Sequence, residues 1–126
     1  MKLKLAEIRS LEPSLMKLTN KELPVKIAYR LGKILKIISE ELNAIEKSRQ
    51  ELVKKYSKDE DEEGNFEVIK EKIDDFKKEF EEFLMEEVEI DCTPISISEL
   101  GNVSLTPIDI VRLDKLIYDS EEKIKD

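Results

Sequence analysis

PVKIAYRLGKILKIISEELNAIEKSRQELVKKY, the stretch from Pro24 to Tyr56, decides the fold. Its apolar positions Ile27, Leu31, Ile34, Ile38, Leu42, Ile45, Leu52 and Tyr56 recur at helical spacing, Arg49 fills the one gap, and no proline interrupts them. That is the period of a single α-helical face. Pro24 suits the first helical position, where a missing N–H costs little. The predicted helix is about 48 Å long at about 1.5 Å per residue. A chain this short must lay other elements along such a rod or lend part of the stripe to a second copy, because contiguous exposed apolar surface normally marks an interface. Ile38, Leu42, Ile45 and Leu52 are the positions expected at such an interface between copies.

Downstream of this helix, Ser57 to Asn65 is a polar, acidic run that reads as a loop over 57–65, and Phe66 and Val68 read as a very short strand. Ile69, Ile73, Phe76, Phe80 and Phe83 then make a narrow helical stripe, suited to packing antiparallel along the long helix. Near Glu86 the period changes to two. Val88, Ile90 and Cys92, then Ile95 and Ile97, predict short strands within 86–98, interrupted at Pro94. Gly101-Asn102 is a turn signal, and Thr106-Pro107-Ile108-Asp109 combines a cap, a proline and an acid at the start of a last helix predicted to reach Asp119. Residues 120–126 read as a frayed tail.

Upstream, Leu3 and Leu5 alternate with lysines, so Lys2 to Ile8 is predicted as a strand that pairs with the 86–98 strands. Leu5, Ile8, Leu11, Leu15 and Leu18 also fit a helix, expected to follow Ser10 as its cap, with Pro13 in the first turn and an end near Thr19-Asn20. The fold class expected is mainly α with some β (α+β). A long helix pairs with an antiparallel one, a small sheet closes one end, and a C-terminal helix completes a single domain over 1–126.

Composition narrows the function. Charged residues make up 41% of the chain and the net charge is −8, which suits long helices with solvated outer faces. The charge divides: residues 1–58 carry 14 Lys or Arg against 7 acids, net +7, and residues 59–126 carry 8 against 23, net −15. Such halves pair internally, pair between copies, or leave one sign free for a ligand. One cysteine excludes an internal disulfide, and Met1 to Ile8 is too short and charged for a secretion signal. No apolar run approaches the roughly 20 residues of a membrane span. The cytoplasm is the expected compartment, with no membrane partner, and an acidic chain makes nucleic acid an unfavoured partner.

Catalytic signatures do not emerge. The chain has no histidine, so Ser-His, Cys-His and His-containing metal sites are excluded. Cys92 follows the acids Glu89 and Asp91 in a predicted strand and reads as structural, and the three glycines form no phosphate loop. Asp59, Asp61, Glu63 and Gly64 resemble the start of a calcium loop, but Lys70 stands where its bidentate glutamate is required. Adjacent glutamates such as Glu81-Glu82 and Glu86-Glu87 read as a solvated helix face. No metal, cofactor or catalytic residue is expected. The one constellation with binding chemistry lies early in the long helix. Lys26, Arg30 and Lys33 share a stripe bordering its apolar face, with Tyr29 and Lys36 just beyond. Near a helix N-terminus, which favours negative charge, these residues read as a site for phosphate or a nucleotide. They also read as partners for the acidic second half.

The run from Lys21 to Lys33, its continuation through Glu40-Glu41-Leu42 to Arg49 and Tyr56, and the later Glu86-Glu87-Val88-Glu89-Ile90 resemble a domain-of-unknown-function family of short proteins from phages and prophages of low-GC Gram-positive bacteria. The resemblance implies a phage-encoded accessory or structural protein in the infected cell's cytoplasm and supplies no catalytic residues. Three functions follow as expectations. The first is a self-associating binding protein that sequesters an anionic, nucleotide-like signal of host defence. The second is a virion structural or chaperone-like assembly protein using the long helix against another phage or host protein. An enzyme comes third, through a divalent-metal carboxylate site.

Overall fold

The computed structural model describes residues 1–60 and 66–119. Helix α2 spans Val25–Lys55, 31 residues and about 46 Å. Pro24 caps it with extended backbone, and its carbonyl accepts the first helical bonds from Ile27 and Ala28. Ile27, Leu31, Ile34, Ile38 and Ile45 are buried along one side. What covers them belongs to the same chain: the long stripe finds its partners in α1 and in the segments after residue 86. Ile38 and Ile45 are therefore core residues, a correction to their expected place at an interface between copies. Leu42 and Leu52 are half-covered.

Helix α1 occupies Leu5–Thr19, and strand β1 before it is only Lys2–Lys4. The predicted strand to Ile8 and the predicted cap at Ser10 are both displaced. Leu5, Ile8, Leu11, Leu15 and Leu18 all bury on one helical face, and this burial outweighs the two-residue alternation of Leu3 and Leu5. Glu7 accepts the Lys4 N–H at 2.9 Å and so caps the helix that Ser10 was expected to cap. Pro13 falls inside the helix, not in its first turn.

Helix α3, Ile73–Leu84, follows a 3-10 turn over Lys70–Lys72. It runs antiparallel to α2, as expected: Tyr56 packs edge-on against Phe76, Lys55 pairs with Glu79, and Ser48 faces the same cavity as Phe83. Phe76, Phe80 and Phe83 stack in sequence with centroids 6.0 and 6.2 Å apart. Arg9 of α1 lies over Phe80, 5.1 Å from the ring centroid.

Among the described residues the β structure is three separate two-stranded pairs and not one sheet. Strand β1 pairs antiparallel with β4, Glu87–Glu89, in the register Leu3 to Val88. Strand β2, Ser57–Glu60, pairs with β3, Phe66–Val68, so the first part of the predicted acidic loop is ladder. Its remainder, with Asp61, Glu63 and Gly64, lies outside the described residues, as does the predicted tail. Strand β5, Ile95–Ser96, does not join β1. It pairs in parallel with β6, Ile117–Tyr118.

Helix α4 covers only Pro107–Arg112, where the sequence predicts helix to Asp119. Leu113, Leu116 and Ile117 are all buried. A turn closed by Leu116 N–H on the Leu113 carbonyl follows α4, and the pairing of Ile117 and Tyr118 with β5 ends the helical course before Asp119. Asp109 accepts the Thr106 N–H at 3.1 Å while its own N–H donates to Thr106 Oγ1, the predicted cap.

Candidate functional site

The first three turns of α2 carry every residue of the predicted anion site, and the structure divides them. Tyr29 is 64% exposed and Val25 beside it 86%. Lys33, one turn on, sets its ammonium 4.7 Å from the centre of the Tyr29 ring, an attraction between a cation and the negative face of the ring. Lys26 and Lys36 are exposed on the same stretch, about 15 Å apart along the axis. Among the described residues, Lys26, Lys33 and Lys36 make no ion pair.

Arg30 belongs elsewhere. Its Nη1 donates to Glu99 Oε2 at 2.8 Å and its Nη2 to the Pro94 carbonyl at 3.1 Å. Glu99 is itself held, since its Oε1 accepts the Ser96 N–H at 3.1 Å. The guanidinium thus clamps the 94–99 segment onto α2, the pairing with the acidic half that the charge division foreshadows. Arginine suits this place better than lysine would, because a planar fork reaches a carboxylate and a carbonyl together where an ammonium offers a single point.

Between this clamp and Lys33 lies an open cavity of about 220 Å³, lined by Arg30, Lys33, Ile34, Ile37, Asp91, Cys92 and Thr93. Nothing in the spacing links positions 33 and 92, so the sequence alone does not place Asp91, Cys92 and Thr93 beside the lysines. Burial, with Asp91 adding to it, pushes the Cys92 thiol up from its ordinary value. The protonated thiol is a weak nucleophile, so the cavity offers contact chemistry and no activated group. Arg30 and Lys33 make one wall of this cavity basic, and the carboxylate of Asp91 stands on its other side.

No group of three potential metal-ligating residues forms among the described residues, and no helix among them is long and apolar enough to cross a membrane. A buried carboxylate, Asp109, has donors at both of its oxygens. Ser14 Oγ donates to its Oδ1 at 2.7 Å and Lys17 Nζ to its Oδ2 at 2.9 Å. Sequence reading finds Asp109 as a cap and misses these two partners.

Comparison with known proteins adds no relative. No family model, curated protein or solved structure matches the chain.

Proposed function

We propose that this chain is a non-enzymatic, phage-type binding protein of the host cytoplasm that sequesters an anionic, nucleotide-like signal on the early face of α2. One observation carries the proposal: three lysines that make no ion pair among the described residues share the early turns of α2 with an exposed tyrosine, in a chain whose acids outnumber its bases 30 to 22. Where counter-charges are in excess, cations left unpaired on one face are available to an outside anion. Tyr29 supplies a stacking surface, Lys33 beside it meets a phosphate, and Lys26 and Lys36 widen the basic field. Arg30 keeps the wall in place. The resemblance to phage accessory proteins fits the same role.

The test is thermal unfolding with cyclic dinucleotides, ADP-ribose derivatives and inorganic phosphate. A ligand at about a hundred times its Kd adds about 2.7 kcal/mol, a rise of several degrees in Tm. Lys33→Glu should abolish the rise without moving the ligand-free Tm. Absence of a shift with every phosphate compound overturns the proposal. A second role, assembly through helix contacts, is favoured by the half-covered phenylalanines of α3; copurification with head or tail proteins supports it, and normal particles from a deletion mutant oppose it.

A further inference from the structure

Beyond Ile45 the long helix has no buried residue, and α3 has none along its whole length. Leu52, Tyr56, Phe66, Val68 and Phe76 are all only half-covered. The last ten residues of α2, the β2–β3 pair and the first half of α3 therefore form an arm that carries apolar side chains without a sealed core, while Phe80, Phe83 and Leu84 pack half-covered against the edge of the main core. Between its two helices runs a cavity of about 310 Å³, walled by Leu52 and Phe83 with Ser48, Glu51, Lys55 and Glu79 at the rim. Ile73, at the start of α3, is 36% exposed.

The charges say what fits there. Residues 46–55 of α2 carry a net +2 and residues 73–84 of α3 a net −3. Lys55 and Glu79 neutralise each other within the chain at 2.7 Å. Lys47 and Glu82 stay exposed without an ion-pair partner among the described residues. A foreign helix of one sign would be drawn to one side of this groove and repelled by the other. A surface basic on one helix and acidic on its antiparallel neighbour is complementary to itself under a two-fold axis, which lays each α2 across the other copy's α3.

We propose that a second copy of this chain covers the arm, so that four helices close into a bundle around Leu52, Phe76 and Phe83. The bundle brings apolar area out of water at roughly 25 cal/mol per Å², and the crossed charges fix the register. The ligand face of α2 lies at the other end of that helix and is left open, so the dimer and the ligand site stand or fall separately.

Light scattering at micromolar concentration should return twice the chain mass of 14.7 kDa. A single-chain mass, or an assembly larger than two, overturns the proposal. Phe83→Glu puts a charge into the seam and should give the single-chain mass with the helical circular dichroism retained; a variant that stays dimeric overturns it. Should Phe83→Glu lose its helical signal, Lys47→Glu decides, since that side chain is exposed. Reversing its charge acts twice across a two-fold axis and should raise the dimer dissociation constant about tenfold at low salt, and less at high salt as screening sets in. An unchanged constant overturns the proposal.

Discussion

Asp109 has 1% of its surface exposed and still meets a donor at both oxygens. The Lys17 ammonium, then the Ser14 hydroxyl and the Thr106 N–H, hold its carboxyl well below the usual carboxylate range. A depressed native pKa means stability that is whole above the ordinary value of 3.8 and drains away as the pH falls below it. Asp109→Asn keeps the size but turns an amide donor toward donors, so Tm should drop by several degrees at neutral pH. The same variant should flatten the loss of stability below about pH 4, measured as urea midpoints from neutral pH downward. An acid limb identical to that of the unaltered chain would assign the acid sensitivity to other groups. Thr106, Pro107 and Asp109 announce this corner in the sequence, because capping is local. Ser14 and Lys17, 95 and 92 positions away, leave no sign that spacing can show.

At the scale of elements, legibility followed length. The face of α2 was readable from Ile27 to Ile45 because each further turn repeats the same signal, and both ends fall within a residue of the predicted ones. Strands of two or three residues have no period to repeat. For β1 and α1 the sequence offered both templates, and burial of Leu5 and Ile8 chose the helix. That choice leaves Pro13 as the ninth residue of a fifteen-residue helix, without the N–H that would bond the Arg9 carbonyl. Because Pro13 is exposed, Pro13→Ala removes no packing and should raise stability by about 1–3 kcal/mol, read from the urea midpoint. A lower midpoint would show that the ring's stiffness in the unfolded chain outweighs the missing bond. In the proposed binding stripe, the helix places all five residues on one stretch. Spacing could not tell that Arg30 would turn to Glu99, since the reach of 69 residues is set by the fold.

Across the whole molecule the basic and acidic halves interlock in part. Lys17 with Asp109, Arg30 with Glu99 and Lys55 with Glu79 each join a cation of the first half to an anion of the second. Among the described residues Lys26, Lys33 and Lys36 of α2 take no part in this pairing and stay open to an outside anion. The closures of the core are equally long-range. β1 meets β4 across more than eighty residues, Ser14 meets Asp109, and β5 waits for β6. Leu113, Leu116 and Ile117 fill the space beside α1 only once that last strand is seated. A fragment of residues 1–106 keeps every helix of the long pair yet lacks Asp109 and these three side chains. It should retain helical circular dichroism but melt without a cooperative transition; a sharp transition would show that the first hundred residues make a core by themselves.

The parallel pairing of β5 with β6 also bears on how the protein is made. Translation delivers α1 and α2 early, at about 5–20 residues per second, and leaves their oily sides bare until Ile117 emerges. A ribosome that stalls short of Asp109 therefore releases a sticky product, fit for a chaperone or a protease, in place of a smaller working version.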